Sequence, residues 1–337
     1  MTSCEPLQQA WRLLESEVRT VDGVYQRRVH ADSRFHLFAG LRHPSGLPSL
    51  LMEVQPGVST AKLERATSGF TVECHRDPGT GRQRISLDLA SRAFRDIFAT
   101  MASEIVAVVL RAADEPTAVS AMRSLLDRWE RFMRNAASDG LPREKRVGLY
   151  GELTFLRVLV DAGMPAEEAL SCWRGPFGGN QDFVFGSGGV EVKTTTANVA
   201  RSADIANEHQ LDDSLCQPLF LMHLAVRIVE GAGASLPQTV AQLKRRFPDA
   251  AVVLFDDLLL EAGYHPLHEP LYLPEGYLER RRAYYIVEGS FPRIRESELR
   301  DGVYSVAYSI DLGGVGSFEV RESEVVSALS IGTEKCP

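Results

Sequence analysis

The sequence predicts a mixed α/β protein, α+β overall, and three observations predict it. Extended runs recur between positions 34 and 89, the last two separated by a strong turn signal, as in an antiparallel sheet. Two long stretches then carry apolar residues at i, i+3, i+4 spacing. From 143 to 229 the patterns follow one another as helix, three strands, helix, strand. The chain has 337 residues, 44% apolar and 24% charged, which provides a sizeable core and an ordinary surface. A disordered chain, a collagen-like fibre and a small disulfide scaffold are excluded. At roughly 100–200 residues per domain the length suggests two or three domains.

Residues 6–20 read as a short helix, with Trp11, Leu13, Leu14 and Val18 on one face. Extended runs follow at Arg34 to Leu41, Leu50 to Val54, Phe70 to His75 and Arg84 to Leu89. Asp77-Pro78-Gly79-Thr80-Gly81 is a strong turn signal between the last two. A helix around Ser91 to Ala113 places Phe94, Ile97, Phe98, Met101, Ile105 and Val109 on one stripe. A second starts at Glu115-Pro116, with Met122, Leu125, Leu126, Trp129, Phe132 and Met133 in helical register. The stretch from Ala137 to Pro142 ends it and marks a domain boundary.

Residues 143–163 form a third helix, closed by Gly163-Met164-Pro165. Short strands are expected near 170–174, 181–186 and 189–196, then a helix over about 204–216 and an apolar strand over about 218–229. Two helices, 236–247 and 249–262, and strands at Ala283 to Glu288 and Val303 to Asp311 complete the reading. The expected organisation is an N-terminal antiparallel β-rich domain (1–92), a helical connector (93–140), a core (141–230) and a C-terminal helical and strand extension (231–337).

The formal charge is −8, so any nucleic-acid contact must come from a local basic face. Three basic clusters offer one: Arg143-Glu144-Lys145-Arg146, Lys244-Arg245-Arg246 and Arg280-Arg281-Arg282. Each alone reads as a solvated face; together on one side of a site they would bind phosphate. Five scattered cysteines without a C-x-x-C pair disfavour a zinc ribbon or a secreted disulfide framework. A reducing cytoplasm is the expected setting, since Met1 to Pro6 lacks a signal-peptide pattern and no apolar run reaches membrane-spanning length. His265, His268 and Glu269 superficially suggest a metal cluster, but Pro266 and Pro270 interrupt it. There is no P-loop, dinucleotide fingerprint, G-x-S-x-G elbow or H-E-x-x-H.

The informative stretch runs from Asn180 to Thr196. Gly186-Ser187-Gly188-Gly189 between two β-rich runs signals a hairpin. Alternation sends Glu191 and Lys193 to one face, and Val190, Val192 and Thr194 to the other. With Phe183 and Phe185 in the core, Asp182 converges with Glu191 and Lys193. Two carboxylates and a lysine on a half-buried sheet are costly without a partner. A hard divalent cation, Mg²⁺ or Mn²⁺, would relieve the repulsion, and lysine would hold or activate a water beside it. Only five of the 37 basic residues are lysines, and Lys193 alone follows Asp or Glu by two positions. Glu152 sits one residue from the stripe Leu149, Leu153, Leu156 and Val160, at the helix edge, where it could reach the same site. Gln210 and His209 are further candidates, Gln210 for facing it from the helix after the hairpin.

This arrangement resembles the PD-(D/E)xK nuclease superfamily. The resemblance implies a restriction-endonuclease-like αβββαβ core. Glu152 is similar to the helix glutamate, Asp182 to the motif aspartate, and Glu191 with Lys193 to the E-x-K pair; Gln181 stands where the superfamily has proline. More narrowly, Gly151-Glu152-Leu153, Gln181-Asp182-Phe183, Val190 to Thr195, His209-Gln210-Leu211, Tyr284 to Val287 and Phe291 to Ile294 resemble the family DUF4420. That resemblance implies a bacterial restriction-like or phage-defence role, beside helicase-like ATPase and DNA methylase genes. The expected function is therefore a Mg²⁺-dependent DNA endonuclease. Asp182, Glu191, the Val192 carbonyl and Glu152 would hold the metal, Lys193 the water, and Arg143, Lys145, Arg146, Lys244, Arg245 and Arg246 phosphates. A second copy of the chain is a candidate partner. An inactive DNA-binding or scaffold subunit, or an RNA-cleaving effector, is the alternative.

Overall fold

The structure, a computed structural model, describes residues 5–18, 20–135, 140–186, 188–197, 201–214 and 216–330. The chain divides into two compact units, Met1–Ser138 and Asp139–Pro337.

The first unit holds α1 (Glu5–Ser16), β1 (Gly23–Val29), β2 (His36–His43), β3 (Leu47–Val54), β4 (Arg65–Ala66), β5 (Phe70–Arg76) and β6 (Gln83–Leu89), then α2 (Arg95–Arg111) and α3 (Glu115–Asn135). The strands form one antiparallel sheet in the order β1-β2-β3-β6-β5-β4. Period-two residues Leu37, Ala39, Leu50, Met52, Val72, Ile85 and Leu87 are buried. So is the α2 stripe of Ile97, Phe98, Met101, Ile105 and Val109. The β5–β6 turn is built by Asp77, whose Oδ1 accepts the Gly79 and Thr80 N–H groups, both at 2.8 Å. Strand β1 was not expected; its Val-Tyr-Gln-Arg-Arg core is largely exposed at the sheet edge, so period-two burial leaves little trace in it.

The second unit begins with α4 (Arg143–Asp161) and α5 (Ala166–Cys172), followed by β7 (Phe183–Phe185), β8 (Gly188–Thr195), β9 (Ser202–Ile205), β10 (Leu219–Glu230) and β11 (Ala234–Ser235). Then come α6 (Leu236–Lys244), α7 (Asp249–Glu261), α8 (Glu269–Tyr272), β12 (Glu275–Ile286), β13 (Tyr308–Asp311), β14 (Glu319–Val320) and α9 (Glu322–Ser330). A central sheet runs β11-β12-β10-β8-β7, with β14 also on β12. Strands β8 and β10 are parallel; the other pairings in this sheet are antiparallel. One cluster joins Val190, Val192, Phe220, Met222 and Leu224 to residues of α4, α5, α6 and α7. Leu219, Leu221, Ala283 and Tyr285 instead pack with Ala203, Ile205, Leu211 and Ile310 of the β9–β13 layer and its flanking loop.

The mixed α/β class is as expected, but two core elements are corrected. The strand expected at 170–174 is the end of α5, leaving only a Trp173–Phe183 bridge. Pro165 before the helix and two glutamates in its first turn favour the helix start, and a short apolar run cannot by itself distinguish the two states. The helix expected over 204–216 is β9 followed by turns. Short polar side chains compete there for backbone donors: Asn207 Oδ1 accepts the His209 N–H at 3.0 Å, and Asp212 Oδ1 the Ser214 N–H at 2.9 Å. Strand β12 also starts at Glu275, well before Ala283, because its middle is charged and exposed.

Candidate active site

Helix α4 lies against β8 closely enough that a Cβ on Gly151 would overlap Thr194 Oγ1 and approach Val192 Cγ1 to 3.2 Å. Val192 and Thr194 therefore face the helix, and Glu191 and Lys193 face away from it. Strand β7 is three residues long and pairs with Gly188 to Val190 only. Among the described residues the outer edge of β8 has no strand partner beyond Val190, and Asp182 fills the gap: its Oδ2 accepts the Val192 N–H at 2.8 Å. A strand residue's N–H and C=O point the same way, so the Val192 carbonyl lies on the Asp182 side.

Glu191 is 1% exposed. Its Oε1 lies 2.9 Å from Lys193 Nζ, and its Oε2 is buried without a hydrogen-bond partner among the described residues. Lys193 also donates to Gln210 Oε1 at 2.8 Å. Glu152 Oε2 accepts from Trp173 Nε1 at 2.7 Å. Glu152 and Asp182 meet at Gly175, where a Cβ would run into Glu152 Oε2 and lie 3.1 Å from Asp182 Oδ1. The structure thus brings Glu152, Asp182, Glu191, Lys193 and Gln210 together.

Burial raises all three carboxyl groups of the site. Burial, then the Asp182 charge, pushes Glu152 up to about 8, against the Trp173 N–H and Lys193. Burial raises Asp182 to about 6, against the Val192 N–H and Lys193. Glu191 is raised by burial and by the Asp182 charge. Each carboxylate has one oxygen held by a donor from this chain. Glu152 Oε1, Asp182 Oδ1 and Glu191 Oε2 have no donor among the described residues. That donor set of hard oxygens suits a divalent cation. As the side chains stand, no three His, Cys, Asp or Glu among the described residues form a ready-made metal cage.

The other candidates are elsewhere or engaged. His209 lies next to Gln210, with Nε2 3.6 Å from Glu208 and Nδ1 3.7 Å from Glu296. Arg146 is held by both Glu275 oxygens, at 3.2 and 2.9 Å, and by the Leu141 carbonyl. Lys244 pairs with Asp256 at 2.5 Å and Arg246 with Asp161. Arg281 pairs with Glu319, and Arg282 with Glu279 and Glu322. Arg143, Lys145 and Arg245 are exposed. His265 Nδ1 caps the Leu267 N–H and Glu269 accepts the Tyr264 hydroxyl, both local structural bonds. Sequence reasoning missed Trp173 and Gln181 as contacts of the site. It also passed over Gly175, although the Gly-Pro-Phe-Gly-Gly run around it signals close backbone approach.

No described helix is long and apolar enough to cross a membrane. No curated protein and no solved structure matches the chain. The family DUF4420, described as "Putative PD-(D/E)XK family member", matches residues 7–313, nearly the whole chain, including every residue of the site above. That description agrees with a mixed α/β unit carrying Asp182, Glu191 and Lys193 on a hairpin and Glu152 on the helix packed against it. The chain therefore belongs to the DUF4420 family and has a nuclease-like fold of the PD-(D/E)XK kind.

Proposed function

We propose that this protein is a Mg²⁺- or Mn²⁺-dependent endonuclease that hydrolyses phosphodiester bonds of DNA in a bacterial restriction or phage-defence system. The observation that carries the reading is Lys193: its ammonium bridges Glu191 and Gln210 at the same open strand edge that Asp182 caps. Asp182, Glu191 and the Val192 carbonyl would hold the metal, and Glu152 would complete its shell or hold a water. The metal, when bound, supplies charge neutralisation at the phosphate and a more acidic water. Lys193 would orient that water for in-line attack. The Val192 N–H fixes Asp182, and the Trp173 N–H fixes Glu152, so that each offers its free oxygen. Partners in this reading are DNA and the helicase-like ATPase and methylase of neighbouring genes.

The test is direct. Purified protein is incubated with plasmid, single-stranded DNA and RNA, with Mg²⁺, Mn²⁺ or EDTA, alone and with the neighbouring-gene proteins. Metal-dependent cleavage of DNA is expected. Cleavage of RNA alone would make it an RNA-cleaving effector, and no cleavage under any condition would leave a DNA-binding scaffold.

A further inference from the structure

Gln181 stands immediately before Asp182 and is 7% exposed, an uncommon burial for a glutamine unless its amide is used. It is used: Nε2 donates to the His209 carbonyl at 2.9 Å and to the Gln210 carbonyl at 3.4 Å. Those carbonyls belong to the turn between β9 and β10. The turn is fixed further by Asn207, which accepts the His209 N–H, and by Glu208, which accepts the Ser305 and Val306 N–H groups at 3.1 and 2.8 Å. Its product is the placement of one atom. Gln210 Oε1 accepts from Lys193 Nζ and from the Ala206 N–H, both at 2.8 Å.

We propose that Gln181 is a positioning residue: by holding the carbonyls of residues 209 and 210 it sets Gln210, and through Gln210 it sets the Lys193 ammonium. The side-chain amide carries two donors on one nitrogen, one for each carbonyl. Methionine of similar length offers none, and a glutamate would turn two acceptors toward two acceptors. The catalytic consequence rests on the proposed nuclease reading; the positioning of Lys193 does not.

Two readouts test the two parts separately. The chain has five lysines, so a ¹⁵N-lysine-labelled sample gives a side-chain ammonium spectrum simple enough to assign, with Lys193→Arg identifying the Lys193 signal. In Gln181→Met and Gln181→Glu the Lys193 signal should shift or broaden while the other four stay in place. In the full-length enzyme, kcat should fall about 10- to 100-fold, as expected for a displaced reacting group. KM should stay within about twofold. On a Lys193→Ala background Gln181→Met should cost nothing further, because its effect passes through that lysine. An unchanged Lys193 signal in both folded variants overturns the proposal. So does an equal loss of kcat with and without Lys193. If the wild type cleaves nothing, the nuclease reading falls, while the lysine spectrum still decides the positioning.

Discussion

Lys193 is where charge, geometry and composition meet. In a chain that uses arginine for 32 of its 37 basic residues, a lysine lies 2.9 Å from one carboxylate oxygen and 2.8 Å from one amide oxygen. A compact ammonium fits there; a planar guanidinium would need a wider fork. Lys193→Ala should keep metal and DNA binding and lose cleavage by ~10²–10⁴-fold, with a melt of the same protein showing that it is still folded. Wild-type rates in that variant would remove Lys193 from the chemistry. The carboxylates give a second prediction at this scale. Glu152 is raised from 4.5 to about 8, so the folded protein holds a proton there that the unfolded chain releases. The stability this contributes is full below the ordinary value and is lost as pH rises through the folded one. Metal-free protein should therefore lose melting temperature between about pH 5 and pH 8, and Glu152→Gln should flatten that slope. Mn²⁺, which favours the ionised carboxylates, should raise the melting temperature more at pH 8 than at pH 6. A slope unchanged by Glu152→Gln would show that this carboxyl does not carry the effect.

The elements work by being short or close. Strand β7 begins only at Phe183, so the side chain of Asp182 rather than a strand backbone meets the Val192 N–H. Gly151 lets α4 approach β8, which brings Glu152 to the strand's edge. Gly151→Ala puts a Cβ onto Thr194 Oγ1 and should lower the melting temperature despite alanine's better helix propensity; overpacking costs typically about 1–3 kcal/mol. Adding Thr194→Ala removes the obstructing hydroxyl and should restore most of the loss. If the double variant is no more stable than Gly151→Ala, close approach is not why glycine stands there. The same elements show what was legible from sequence. Alternation at Val190 to Lys193 and the Gly-rich turn placed Asp182, Glu191 and Lys193 together, because period two is a local property of the strand. Residues 204–216 were misread because side chains of Asn207 and Asp212 take up backbone donors, and the resulting turn has no period. Trp173 could not be read as a partner of Glu152, since that contact joins residues 21 apart through packing alone.

At the scale of the whole molecule, a net charge of −8 requires phosphate binding to be local, and much of the basic charge is already committed. Arg146 is bound to Glu275, Lys244 to Asp256 and Arg246 to Asp161. These side chains neutralise the protein's own carboxylates, and each would have to exchange a partner to meet a phosphate. Arg143 and Lys145, exposed on the first turn of α4 and without a carboxylate partner among the described residues, carry no such penalty. With Arg245, which is exposed and likewise without a carboxylate partner among the described residues, they are therefore the better candidates of the six for contact with a duplex. On B-DNA each neutralised phosphate contributes about 0.9 to the fall of log affinity with log salt. Arg143→Glu with Lys145→Glu should flatten that slope by up to about 1.8 with little change in melting temperature. Lys244→Glu should do the reverse, leaving the slope alone and destabilising the fold by setting a carboxylate against Asp256. Salt titrations of binding by cleavage-deficient Lys193→Ala protein, with thermal melts of the same variants, separate the two classes. A slope that responds to Lys244 and not to Arg143 and Lys145 would reverse the assignment of the phosphate-binding face.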